Sequence, residues 1–288
     1  MGTIHVLGFS NPAAQYLLIN SNQELNIYCY TSQNKKILQK DCFEYSKLKI
    51  NFEDNDSIVS FIPIQYLKKY IEELRAIRKF PKSIIACSST SIYSKVLINS
   101  PDSFEYQKFL IGEHGLMEYC LHSEREINLV ILRLSLLWGG RKDNNVNLIF
   151  NLLNKYRFFP LLNKSQGLRF PMHHSYLSET IKNLIRNPLK SGIYALQGPE
   201  SITYIKMIKT IKERVRNKSF LIILPKSFIV LLIRIFSTIK IKKIVSILMM
   251  IYRQENDLDF SNNNHIPNYI LPKNYKKYNF EELIKVIY

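Results

Sequence analysis

The chain has 288 residues, of which 46% are hydrophobic and 22% charged, with nine Gly and eleven Pro. That is apolar material for one large domain or a domain with an appendage; it excludes a disordered tail, a low-complexity scaffold and a collagen-like rod. Forty Lys and Arg against 23 Asp and Glu leave a formal charge of +17, which points either to an anionic partner or to the compositional drift of an AT-rich genome.

Taken in chain order, Ile4–Leu7 is an apolar run that ends at Gly8. Pro12–Ile19 has helical character, with Asn11 as a good N-cap and Pro12 in the first helical position. Leu25–Tyr30 predicts a second strand and Lys47–Phe52 a third. Ser57–Pro63 is a continuous apolar run, as in a strand buried on both faces. Gln65–Phe80 predicts an amphipathic helix, Ser83–Cys87 a buried strand, residues 103–125 a helix and Ile127–Arg133 a further strand. Strands alternating with helices imply right-handed crossovers and an α/β, Rossmann-type doubly wound parallel sheet. Beyond residue 140 helices and short strands take over, so the expected division is 1–140 and a smaller C-terminal substrate lobe, 141–288, interleaved with the first.

Cys29, Cys42, Cys87 and Cys120 stand at no metal-binding or disulfide spacing, which predicts no metal site and a reducing, cytoplasmic setting. The N-terminus runs straight into a strand, without the apolar core of a signal peptide. Within residues 219–252 the run from Ser227 stops at Arg234, and the run from Ile244 to Tyr252 is short. A span needs about 20 apolar residues, so no transmembrane helix is predicted.

Five landmarks now fall in one order. The turn after the first strand reads Gly8-Phe-Ser10-Asn11-Pro-Ala-Ala14; the strand end reads Ser88-Ser89-Thr90-Ser91-Ile92-Tyr93. There follow Leu132-Arg133-Leu-Ser-Leu136-Leu-Trp138-Gly139, then Arg169-Phe-Pro171-Met-His173-His174-Ser-Tyr176-Leu, then Gly192-Ile-Tyr194-Ala-Leu-Gln-Gly198-Pro-Glu200 with Thr203-Tyr204. Together they resemble the extended short-chain dehydrogenase/reductase superfamily, in its NAD-dependent epimerase/dehydratase branch. The resemblance covers roughly residues 3–210. It implies a nicotinamide dinucleotide held by Gly8, Ser10, Asn11, Ala14, Thr31, Ser32, Lys35 and Pro63. It also implies a nucleotide-sugar substrate met by Ser91, Arg169 and His173, a catalytic hydroxyl at Ser89, and work in surface polysaccharide biosynthesis.

The chain departs from the family pattern at four positions. Asn11 stands in place of a glycine, and Leu136 where many sugar-nucleotide epimerases keep Asn. Tyr176 replaces an Asp, and Phe104 stands four residues before Lys108 where the family's Tyr-x-x-x-Lys pair needs a phenol. Tyr106 is the only nearby phenol, two residues from Lys108. Either the helix begins late and a nonhelical Tyr106 reaches the site with Lys108 supplying charge, or the standard acid–base chemistry is lost. The two readings are an epimerase, dehydratase or reductase and a binding protein of the same fold with impaired chemistry.

The family's NAD-specific members carry an acidic residue at the end of the second strand; here Thr31, Ser32, Lys35 and Lys36 follow instead, which favours NADP over NAD. The adjacent His173 and His174 point to opposite sides of an extended segment with no carboxylate nearby, so they predict no metal. Nucleic acid has only the net charge in its favour, with no recognition motif, and is not expected. Residues 205–253 hold twelve Lys and Arg against Glu213 alone, interleaved with apolar runs. Such a basic amphipathic stretch predicts either packing on the substrate lobe or peripheral contact with an anionic membrane at its inner face. Oligomeric state stays open, a dimer included.

Overall fold

The computed structural model describes residues 2–21, 25–31, 42–95, 103–140, 143, 145–162, 165–216, 218–239, 241–256 and 264–287. In chain order the elements begin with β1 (Ile4–Leu7), α1 (Pro12–Ser21), β2 (Ile27–Thr31), β3 (Cys42–Glu44), α2 (Leu48–Asn51), β4 (Ser57–Ser60), α3 (Ile64–Arg75), β5 (Ser83–Ser89), α4 (Ser91–Lys95), α5 (Ser103–Leu121) and β6 (Asn128–Leu134). There follow β7 (Leu137–Trp138), α6 (Val146–Tyr156), β8 (Phe158–Leu162), β9 (Leu168–Arg169), β10 (Met172–His173), α7 (His174–Arg186), β11 (Gly192–Leu196), β12 (Ile202–Thr203) and α8 (Tyr204–Lys212). The last are β13 (Phe220–Leu224), α9 (Lys226–Thr238), α10 (Lys242–Tyr252) and α11 (Phe280–Ile287).

Two compact units share the chain. The first holds residues 1–135, 174–196 and 262–274; the second holds 136–173, 197–261 and 275–288. The chain thus leaves the first unit near residue 135 and returns to it twice.

The first unit is built on a seven-stranded sheet in the order β11-β6-β5-β4-β1-β2-β3, with every neighbouring pair parallel. This is the doubly wound sheet that the alternating pattern predicts. Leu7, Ile58, Ile84, Leu129 and Ile131 meet Leu67, Ile71, Leu116 and Tyr119 of α3 and α5 in one buried cluster. The two helices close up at Gly112, where a Cβ would lie 2.7 Å from the amide nitrogen of Gln65. That contact explains a glycine in a helix interior, where it otherwise costs about 1 kcal/mol.

One expected strand is a helix. Residues 45–51 are helical, through a 3₁₀ turn at Tyr45–Lys47 and then α2, with Phe52 as its extended cap, and the edge strand is Cys42–Glu44. Leu48 and Phe52 are buried while Ile50 is 65% exposed, so the apolar spacing is the four-residue spacing of a helix rather than the alternation of a strand.

One buried polar network in this unit joins β1, β2 and the residue before β4. His5 Nδ1 lies 2.8 Å from the Tyr30 hydroxyl and His5 Nε2 lies 3.0 Å from Asp56 Oδ2. Burial lowers the His5 pKa, against the opposing pull of Asp56.

In the second unit Trp138, Val146, Ile149, Leu153, Met207, Ile211, Phe280 and Ile284 form the main core. A smaller cluster joins Leu162 and Ile229 to Leu248 and Ile251. β13 pairs in parallel with β8, and α9 packs on α10.

Candidate functional site

In a parallel sheet every strand points the same way, so the C-terminal ends of β1, β2, β4, β5 and β6 share one edge. The order reverses between β1 and β4, the place where an open α/β sheet takes its ligand. Gly8 ends β1 with φ +92°, and a Cβ there would lie 3.0 Å from the amide nitrogen of Ile62. Only glycine gives that turn without strain.

The backbone donors of the turn can be followed one by one. The Asn11 N–H donates to the Gly8 carbonyl at 2.8 Å, and Pro12 has no N–H. The Ala13 N–H donates to Asn11 Oδ1 at 2.9 Å. Those of Ala14 and Gln15 donate to the Asn11 carbonyl at 3.0 and 3.3 Å. Asn11 is therefore the N-cap expected of it. The Ala13 amide, held only by a neutral oxygen, is the donor for which an anion competes best.

Ser10 is exposed beside this turn, Ala14 is buried under it, Thr31 is buried at the end of β2, and Pro63 is exposed as the residue preceding α3. Ser32, Lys35 and Lys36 lie outside the described residues. Gly8, with its close backbone approach, and a β2 end closed by Thr31 rather than a carboxylate fit a dinucleotide.

At the ends of β5 and β6 lies a group that sequence reasoning missed. Glu113 of α5, 1% exposed, accepts from the Ser88 hydroxyl at 2.5 Å. Its carboxylate also takes Arg133 Nε at 3.0 Å and Nη2 at 2.5 Å, a two-pronged ion pair. The Arg133 guanidinium lies 4.7 Å from the centre of the Tyr93 ring. Burial alone would lower the Arg133 pKa; bonds to Glu113 and Tyr93 outweigh it and raise the pKa. A lone arginine inside the apolar run Leu129–Leu134 was the available signal, since a cation in a buried strand needs a partner.

Next to this group, the Ser89 Oγ accepts the Ser91 N–H at 3.1 Å, which leaves the hydroxyl hydrogen of Ser89 able to donate. Ser91 opens α4, and the Thr90 hydroxyl donates to the Leu134 carbonyl at 2.9 Å, tying the β5 end to β6.

The structure places Tyr106 inside a helix, since α5 begins at Ser103. Two turns separate it from Glu113, which sets the two about 20° apart on one stripe. Its ring stacks on Phe109 at 6.1 Å, and Phe109 packs on the core. Phe104 is half a turn away and 68% exposed, with Lys108 Nζ 5.7 Å from its ring centre. Lys108 thus shares a face with Phe104, not with Tyr106, because two residues along a helix turn through about 200°. The charged group on the inner side of α5 is the Glu113–Arg133 pair.

The expected substrate residues of the second unit are buried. Arg169 is 4% exposed, and its guanidinium donates to the carbonyls of Leu168, Asn256 and Arg253 at 2.7, 2.7 and 2.6 Å. His173 is 3% exposed and packs edge-on against Trp138 at 5.1 Å. A Cβ on Gly139 (φ +97°) would lie 2.2 Å from its ring. Burial lowers the His173 pKa to about 4, so the ring is neutral at pH 7. Leu136 packs on the main core of this unit; Tyr176 of α7, in the first unit, is buried.

The Gly198-Pro-Glu200 landmark has a structural job. A Cβ on Gly198 would lie 2.1 Å from the Pro171 carbonyl oxygen, and the Glu200 carboxylate accepts from the Phe280 N–H and the Asn279 amide at the start of α11.

Among the described residues no group of His, Cys, Asp and Glu is placed to hold a metal ion. No model of a known protein family matches the chain, and no curated protein does. Solved structures do. A UDP-N-acetylglucosamine 4-epimerase from Bacillus cereus is 18% identical, with TM-score 0.60 over 78% of this chain and 86% of that one. A UDP-glucose 4-epimerase from Thermus thermophilus, in complex with NAD, is 12% identical, with TM-score 0.58 over 77% and 86%. A human epimerase family protein with NADPH is 14% identical, with TM-score 0.56 over 79% and 84%. The chain therefore has the fold of the extended short-chain dehydrogenase/reductase family, that of the NAD-dependent nucleotide-sugar epimerases and dehydratases.

Proposed function

We propose that this chain binds a nicotinamide dinucleotide at the C-terminal edge of β1, β2 and β4. There it acts on the sugar of a nucleotide sugar, as an epimerase, dehydratase or reductase. The observation that carries the reading is the edge itself: Gly8 with its positive φ, the first turn of α1, and the Ser88–Thr90 hydroxyls end on one side of one sheet. The structures similar in fold include one in complex with NAD and one with NADPH.

In this reading a bound nicotinamide would serve as the hydride donor or acceptor. Ser89 donates its hydroxyl hydrogen to the sugar oxygen that changes its proton, and Tyr106, on the inner stripe of α5, carries that proton. Glu113 and Arg133 hold the Ser88 end of the strand rigid beside them. Thr31, with Lys35 and Lys36 beyond, supports NADP over NAD, because no carboxylate at Thr31 repels a 2′-phosphate. The spacing of Cys29, Cys42, Cys87 and Cys120, which matches no metal or disulfide framework, supports a reducing, cytoplasmic setting. A place in surface polysaccharide biosynthesis rests on the fold relatives alone.

A second reading keeps the ligands and drops the chemistry. The parting of Lys108 from Tyr106 favours it, since the cation that would ease loss of the phenol proton is on the other face. The test is turnover of a panel of UDP-sugars with NAD and NADPH, read by NMR of the sugar. Turnover that falls about 100-fold in Tyr106→Phe supports the enzyme. Dinucleotide binding without turnover supports the second reading.

A further inference from the structure

Helix α9 is apolar around more than half of its circumference, and only one part of that surface is covered. Ile229, Leu232, Ile233 and Phe236 pack in the cluster shared with α10 and Leu162. Phe228, Leu231, Ile235 and Ile239, of which the last is the residue closing the helix, are 44%, 54%, 43% and 59% exposed. At 3.6 residues per turn these four fall within an arc of about 80°, so they form one stripe along the helix. The strand that leads into the helix, β13, adds Phe220, Ile222 and Ile223 at 66%, 44% and 68%. A monomer in water rarely leaves so much large apolar side chain uncovered in one stretch.

The charge around the stripe selects the occupant. Arg216, Lys218, Lys226 and Arg234 are exposed near it in the chain, Arg234 beside the stripe on α9 itself. Residues 205–253 carry twelve Lys and Arg with Glu213 as the only carboxylate before Glu255. A second copy of this chain would bring the same cations to the same face and repel it. A negatively charged lipid surface neutralises them. Helix α9 is also too short to cross a bilayer: 13 residues rise about 20 Å, and among the described residues no helix is long and apolar enough to do so.

We propose that α9 lies in the plane of an anionic membrane, with Phe228, Leu231, Ile235 and Ile239 inserted among the acyl chains and the flanking Lys and Arg on the headgroups. This holds the protein at the membrane surface whatever reaction its first unit performs. The geometry is that of an interfacial helix, apolar on one arc and with Arg234 at its border.

The test uses the full chain in vesicle co-sedimentation. Vesicles of phosphatidylcholine containing about a third phosphatidylglycerol should bind at least about tenfold more protein than phosphatidylcholine alone, with most of the gain lost at high salt. The double variant Leu231→Glu, Ile235→Glu changes exposed positions only and should lose about tenfold or more of that binding. Phe228→Ser with Ile239→Ser should lose several-fold. Unchanged fluorescence of Trp138, the single and fully buried tryptophan, shows that each variant is folded. Equal binding to both vesicle types, or variants that bind like the parent, would overturn the proposal. So would a concentration-dependent dimer, broken by the same substitutions, in a protein that binds no vesicle.

Discussion

The two faces of helix α5 behave as different environments. The inner face carries Tyr106, Phe109, Glu113 and Leu116; the outer face carries Phe104, Lys108 and Ile111, with Phe104 and Ile111 68% and 69% exposed. On the inner face a change has nowhere to go: Glu113 is fixed by Ser88 and by Arg133, and removing either charge strands the other in low dielectric. On the outer face solvent absorbs a change, and there the family's Tyr-x-x-x-Lys spacing survives as Phe104 under Lys108, a ring–cation contact without a hydroxyl.

That contrast breaks first at Glu113. Glu113→Ala should cost about 3 to 5 kcal/mol of unfolding free energy in a urea titration, because it leaves Arg133 paired with nothing of opposite charge among the described residues. A loss below about 1 kcal/mol would mean that the pair is solvated and the inner face no more constrained than the outer.

A second test applies the same logic to the buried ring in the other unit. The His173 pKa is lowered by burial to about 4. The unfolded chain, with an ordinary histidine near 6.5, therefore takes up the proton first. Stability is complete above about pH 6.5 and falls as pH drops towards about 4, by about 3 kcal/mol from this group. His5 shifts in the same direction. Urea midpoints at several pH values should show the decline, and His173→Asn, less stable at neutral pH, should show a shallower one. Parallel curves for the two proteins would remove His173 from the account.

Asn11 gives a smaller effect with two readouts of opposite sign. Asn11→Ala removes the cap on Ala13 and should cost about 1 kcal/mol of stability, while Asn11→Gly should cost only a few tenths. Both free the Ala13 amide for an anion, so both should tighten dinucleotide binding several-fold in calorimetry. Weaker binding would show that the Asn11 side chain itself touches the ligand. The smallest effect is expected on the outer face: Phe104→Tyr should move stability by less than about 0.5 kcal/mol and leave turnover unchanged within about twofold. A large gain in turnover would place the working phenol on the Lys108 face and reverse the comparison.

Much of this was legible in the chain. Apolar runs closed by Gly8 and by Ser88–Thr90 gave strands ending on one edge, and Asn11-Pro12 gave the start of α1. Short-range spacing failed at residues 47–52, where Leu48 and Phe52 follow a helical interval too short to stand out. It is silent where the chain returns to the first unit: α7 and β11 belong to that unit, with β11 paired to β6, and nothing local in those residues says which core they complete. The Ser88–Glu113–Arg133 group was hidden for the same reason, since its members lie 25 and 20 residues apart and meet only after β5, α5 and β6 pack. Arg169 and His173 carry the family spacing, yet their surroundings make them a backbone clamp and a packed ring, which spacing cannot reveal.

The central claim is that the edge built by Gly8 and α1 holds a nicotinamide dinucleotide. Isothermal calorimetry of the full chain with NADPH and with NADH tests it most directly, with Gly8→Val as the control because that φ of +92° and the 3.0 Å approach to Ile62 leave no room for a side chain. The account predicts saturable one-site binding, tighter for NADPH, lost in Gly8→Val while the variant stays folded. No heat with either dinucleotide, or equal binding by Gly8→Val, would contradict it.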